Sequence, residues 1–247
     1  MCLKFVEFFD KLGDDTSKSV KLLIEKIRLN IKWINTSYQE IKNWLENSHL
    51  VIESKLNYRL PRALLPLNYN LLFKTELNGP ENQKFFPYDG EINILITCIE
   101  TTSSLVLHIN DLGIDNSSLL IKSLTDSSFK ELKAFNWFND FKRQFFVANL
   151  TQELKSGQNY SLYMKFVGYL KDDNIGFYRS SYLDSNNNRK WLLTSDMEPT
   201  NARKSFPCFD EPAMKASFKT TVVHQKEYNA LSNMPVDKII EMYVLMN

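Results

Sequence analysis

From Tyr58 onward the apolar residues of this chain fall on every second position, and that period decides the class of fold. Tyr69-Leu71-Phe73, Ile92-Ile94-Ile96, Leu105-Leu107-Ile109, Tyr160-Leu162-Met164-Phe166 and Phe218-Thr220-Val222 each alternate with more polar neighbours. Side chains along a strand point to opposite faces in turn, so such runs bury one face and wet the other. Asn78-Gly79-Pro80, Asp89-Gly90, Ser156-Gly157 and Asp184 to Asn188 supply turn residues between them. Many short strands with few helices predict a mainly β domain over residues 57–235, a large twisted antiparallel β-sandwich or saddle.

The first 46 residues follow another rule. Val20, Ile24, Ile27, Ile31, Ile34, Tyr38, Ile41 and Leu45 are spaced by threes and fours, which gathers them on one face at the helical period. Ser37 with Glu40 three residues later forms a capping box that divides the stretch into two helices. A continuous coiled coil is the alternative. Residues 47–56 form a linker to the β domain. Beyond Pro235, residues 236–247 form a divergent tail that reads as an edge strand, as a short helix, or as the product of a wrong reading frame.

Charge and composition exclude several partners. Thirty Lys and Arg against 29 Asp and Glu leave a net charge of +1, so neither a nucleic-acid surface nor a polybasic membrane surface is expected. Hydrophobic residues at 43% are ample for a packed core. Cys2, Cys98 and Cys208 are too widely spaced for a disulfide framework or a zinc knuckle, and buried free thiols are expected. No apolar run reaches the ~18 residues that a membrane span needs. The N-terminal M-C-L-K-F-V-E-F-F-D is broken by Lys4 and Glu7, which makes a poor signal peptide. N-x-S/T sequons at Asn35, Asn116, Asn149 and Asn159 point the other way, toward a glycosylated extracellular protein, although such triplets also arise by chance in an Asn- and Ser-rich chain.

Met197 to Pro212 reads M-E-P-T-N-A-R-K-S-F-P-C-F-D-E-P. It resembles the signature that closes the N-terminal β-domain of the aminopeptidase N-like zinc aminopeptidases, a family that includes glutamyl aminopeptidase. Tyr58-Arg59-Leu60-Pro61, Gly176 to Tyr182 and Ala230 to Pro235 extend the resemblance on both sides. Ile27 to Ile34 and Ile41 to Glu46 are similar to the last helices of the family's C-terminal domain. That order implies either a cut across two tandem units or a fused gene model.

The resemblance also shows what is missing. The family binds zinc through H-E-x-x-H on a helix, two imidazoles one turn apart with a glutamate as general base. None of the three histidines opens that motif: His49 precedes L-V-I-E, His108 precedes I-N-D-L and His224 precedes Q-K-E-Y. The G-A-M-E-N substrate loop is absent as well. The resemblance therefore implies a fragment of a zinc aminopeptidase, inactive alone, whose zinc belongs to the complete family enzyme and whose partners are peptide N-termini and a missing catalytic domain. A stand-alone non-catalytic domain that binds peptide N-termini or a full-length aminopeptidase is the alternative. An extracellular or plasma-membrane setting follows from the family.

Within the signature, Glu198 matches the family glutamate that anchors the substrate's α-ammonium, and a surface carboxylate paired with Arg203 is the plainer reading. Asp196 matches a position that lines the S1 pocket; as in glutamyl aminopeptidase it would bind calcium and favour acidic side chains, and without calcium it would favour basic ones. Arg203, Pro207, Asp210, Glu211 and Pro212 read as structural, with Asp210 and Glu211 accepting hydrogen bonds from Arg203 or nearby backbone. The aromatic stretch Phe135 to Phe146 reads as strand core around a turn at Asn139-Asp140, with a recognition surface as the alternative.

Overall fold

A computed structural model describes residues 57–75, 77, 86–125, 131–132 and 134–241. The expected helices of residues 1–46, the linker, Cys2, Asn35 and residues 242–247 lie outside the described residues. The unit beginning at Tyr58 is mainly β, as the period of two predicts.

Its strands are β1 (Leu64–Thr75), β2 (Phe86–Cys98), β3 (Thr102–His108), β4 (Gly113–Ser123), β5 (Ala134–Asp140), β6 (Phe145–Leu154), β7 (Asn159–Leu170), β8 (Gly176–Leu183), β9 (Arg189–Asp196) and β10 (Ser217–Val223). Five of them form one sheet in the order β10-β1-β2-β7-β4, three form another in the order β3-β6-β5, and β8 pairs with β9 alone. All neighbours are antiparallel except β1 and β10, which run parallel with Asn68 opposite Ser217. A parallel neighbour needs a long crossover, and here almost the whole domain lies between the two strands.

Four of the five alternating runs bury the faces that their spacing implies; the exception is Phe218-Thr220-Val222, where Phe218 and Thr220 are exposed because β10 is an edge strand. Ile92, Ile94 and Ile96 of β2 and Leu162 and Met164 of β7 are wholly buried. Leu105 and Leu107 of β3 with Phe146 and Ala148 of β6 join them in one continuous core. Burying one such aliphatic side chain is worth about 1.5–3 kcal/mol, so these two layers carry the stability of the domain. Cys98 and Cys208 are buried free thiols.

The aromatic stretch divides. Phe145 and Phe146 are core, whereas Trp137 and Phe138 are nearly half exposed and Phe141 is 86% exposed. The expectation of core fails for Trp137 and Phe138 because β5 is an edge strand, and for Phe141 because it lies in the turn after that strand. The turn also lies later than expected, after β5, where Asp140 accepts the backbone N–H groups of Lys142 and Arg143 at 3.1 and 3.0 Å.

The two-stranded β8–β9 unit is tied to the large sheet by Arg179. Its guanidinium, on a residue only 5% exposed, lies 4.6 Å from the ring centroids of both Phe86 and Trp191 and pairs with Asp172 at 2.8 Å. Stacking on two faces suits a planar, weakly hydrated cation. The hairpin thereby delivers the end of β9 at a fixed place, and the 197–212 segment starts there.

Candidate functional site

Residues 197–212 form no strand. Asn201 N–H donates to the Met197 carbonyl at 3.0 Å, closing a turn that contains a cis Glu198-Pro199 bond and Thr200 at φ 61°. A single 3-10 turn, Ala202–Lys204, follows. Phe206, Pro207, Cys208 and Phe209 are then all buried, so this irregular segment is packed like core.

A buried segment without a ladder must find other partners for its backbone. The large sheet supplies two tyrosines: Tyr88 donates its hydroxyl to the Ser205 carbonyl at 2.9 Å, and the Tyr69 hydroxyl accepts Phe209 N–H at 3.1 Å. Burial pushes the acidity of both phenols far from the ordinary range, so they remain neutral. The small sheet supplies backbone: His108 N–H donates to Cys208 O at 2.8 Å, Cys208 N–H returns to His108 O at 3.2 Å, and Asn110 N–H reaches Arg203 O at 2.8 Å. Tyr88→Phe leaves the Ser205 carbonyl short of a donor and is expected to cost about 1–2 kcal/mol in urea denaturation.

Arg203 and the two acids of the segment are structural, in the way their spacing suggests. Arg203 Nε lies 2.8 Å from Asp210 Oδ2, its Nη2 donates to the Asp210 carbonyl at 3.2 Å and its Nη1 to Gln144 Oε1 at 3.1 Å. Glu211 accepts Leu60 N–H, an atom 151 positions away, at 2.6 Å and pairs with Arg59 at 3.4 Å. The segment thus locks the start of the domain to its end.

Glu198 is placed differently. Its residue is exposed, and among the described residues its carboxylate has no hydrogen bond or ion pair. Arg203, its suggested partner, is taken by Asp210. A rigid turn on a buried base, with an unspent carboxylate at its exposed end, is a ready acceptor for a cation. Asp196, the last residue of β9, is also exposed and stands opposite Gly176.

Among the described residues no three His, Cys, Asp or Glu side chains converge in a way that could hold a metal ion. Cys208 is sealed in the core and burial raises its pKa well above the ordinary thiol value, so it is no nucleophile. The described sequons lie on strands: Asn116 on β4, Asn149 on β6 and Asn159 at the start of β7, each half-buried. No helix among the described residues is long and apolar enough to cross a membrane.

One buried group had no sequence signal beyond its place in an alternating run. His108 is 1% exposed, its ring packs edge-on against Phe145 with centroids 5.1 Å apart, and its Nδ1 has no hydrogen-bond partner. Burial first, and then the Arg203 charge, pull its pKa down to about 4.

The described domain is a layered, open β fold whose clamped, irregular closing segment presents one unpartnered carboxylate, that of Glu198. The chain belongs to the M1 peptidase family: residues 65–242 match the Peptidase M1 N-terminal domain. It is 39% identical over 181 residues to Aminopeptidase N of Bos taurus, which covers 72% of this chain and 18% of that protein. Aminopeptidase A of Gloydius brevicauda is 37% identical over 187 residues, 75% of this chain and 18% of that protein. Glutamyl aminopeptidase of Sus scrofa is 37% identical over 185 residues, 74% of this chain and 18% of that protein. The chain thus spans about a fifth of the length of these relatives.

Proposed function

We propose that residues 57–235 supply the wall of an aminopeptidase that recognises a peptide's free N-terminus, with Glu198 as the group that binds the α-ammonium. The observation that supports this reading is the exposed, unpartnered Glu198 carboxylate on a turn closed by Asn201 N–H and the Met197 carbonyl, at the head of a buried segment. A charge-assisted hydrogen bond from an ammonium to a carboxylate is worth about 1.5–3 kcal/mol. It selects a free N-terminus over an internal or acylated one, which carries no such charge.

In this reading the hydrolytic zinc is held by residues outside the described domain, and the domain contributes binding and orientation only. Asp196 borders the space that the first side chain would occupy. The segment's attachment to both sheets holds Glu198 in place before substrate arrives, which spares the entropy of ordering it on binding.

The test is a titration of the ¹⁵N-labelled chain with a short peptide and with its N-acetylated twin. The free peptide is expected to shift the amide signals of residues 196–201 at millimolar concentrations, the acetylated one not, and Glu198→Gln is expected to erase the difference. Equal shifts from both peptides would remove Glu198 from the proposed role. In a polypeptide that also carries the zinc motif, Glu198→Gln is expected to raise KM about 10- to 100-fold.

A further inference from the structure

We propose that His108 is an acid-responsive latch that holds the Glu198-bearing segment against the three-stranded sheet. The geometry comes first. His108 and Cys208 form an isolated antiparallel bridge, so the residue that carries the imidazole also makes the two backbone hydrogen bonds joining β3 to the segment. The ring is sealed from solvent and its Nδ1 faces no partner. The next bond along, Asn110 N–H to Arg203 O, ends on the residue that holds the buried ion pair.

The charges around the ring leave no room for another cation. From the 3-10 turn, Arg203 brings a guanidinium. From the segment, Asp210 brings one carboxylate, already bound by Arg203, and Cys208 brings a neutral thiol. Glu211 is engaged by Leu60 N–H and Arg59. From β6 comes the Phe145 ring, with the Arg143 guanidinium 5.0 Å from its centroid and itself paired to Asp140. The backbone at Tyr58 favours the protonated ring, but burial and Arg203 outweigh it. Protonation would place two cations on one buried carboxylate and give Nδ1 a proton with no acceptor, a balance that opening to water relieves.

The sign follows from linkage. The folded pKa is about 4 against an ordinary 6.5, so the open state binds the proton more tightly. The closed state is therefore favoured fully above pH 6.5 and loses its advantage as pH falls from 6.5 toward 4. Opening between pH 7 and 5 is expected to grow about twentyfold. The segment should open before the sheets do, because it has few ladder bonds of its own. For Glu198 the consequence is a carboxylate less well held in acid, and that part rests on the function proposed above.

Hydrogen exchange of the full 247-residue chain, corrected for the intrinsic pH dependence, tests the latch directly. Peptides from residues 202–210 are expected to lose protection about twentyfold from pH 7 to pH 5, while those from β2 and β7 hold theirs. His108→Leu, which keeps the bridge and removes the titrating group, should make the segment's protection flat with pH. Should that variant not fold, the ¹³Cε1 signal of His108 in the native chain is followed instead. A midpoint near 4, with the amides of 202–210 moving in step, supports the latch. An unchanged acid response in His108→Leu, equal loss of protection across all strands, or a ring that titrates near 6.5 would overturn it. Failure of the Glu198 reading appears separately, as peptide binding at pH 7 indifferent to Glu198→Gln.

Discussion

Asp210→Ala is expected to destabilise the domain by about 3–5 kcal/mol. Arg203 is only 8% exposed, and Asp210 meets it with both a carboxylate oxygen and a carbonyl. Removing the carboxylate leaves a guanidinium in the core with Gln144 and one carbonyl, neither of which carries charge. The penalty is that of an unpaired buried ion, far above the loss of one hydrogen bond. Chemical denaturation gives the number. The double variant Arg203→Met with Asp210→Leu distinguishes the cause: with both charges gone, most of the stability is expected to return. If the double variant is as unstable as Asp210→Ala, the shape of the pair matters more than its charge.

Gly90→Ala is expected to cost about 3 kcal/mol, the upper end of the usual penalty for overpacking. Gly90 of β2 stands opposite Phe166 of β7, and a Cβ there would lie 2.1 Å from the Phe166 Cζ. The ring has little freedom to withdraw, because Phe73 and Tyr88 pack edge-on to it with centroids 6.3 and 6.4 Å away. Two positions along, the arrangement is inverted: Tyr88 of β2 lies over Gly168 of β7, whose added Cβ would fall 2.3 Å from the phenol. Phe166→Ala should cost about 3–5 kcal/mol through the cavity it leaves. In the double variant the new methyl fills part of that cavity, so the combined loss is expected to fall short of the sum. Simple addition would mean that ring and glycine do not compete for the same space.

The two glycine-aromatic pairs were present in the sequence as Tyr88-x-Gly90 and Phe166-x-Gly168, but their pairing was not, since register is a property of two strands and not of one. The same limit explains the other misses. The alternating runs of β1, β2, β3 and β7 announced their buried faces because each lies where one face meets the core. β4 gave no such signal: its register with β7 shifts between Asp115 and Leu120, so Asn116-Ser117-Ser118 interrupts the period. Trp137 and Phe138 were read as core because composition does not say which strand ends a sheet. At the site, the pairing of Arg203 with Asp210 could be read from charge and spacing, whereas the partners of Glu211, Leu60 N–H and Arg59, lie 151 and 152 positions away and could not. Glu198 stood out only by resemblance, for an exposed carboxylate has no local mark of its purpose. His108 could not be singled out at all, because a histidine in an apolar run looks the same whether or not its ring nitrogen finds a partner.

The parallel pairing of β1 with β10 has a mechanical side. The first strand of the β unit enters at one end of the pair and the last leaves at the other, with seven residue pairs in register between them. Tension on the chain before β1 and after β10 would act along both strands in opposite directions. The hydrogen bonds across the pair would then share the load at once, in shear, instead of yielding one after another as in a peeling hairpin. Where this unit is strung within a longer polypeptide, it would behave as a stiff link and not as a spring.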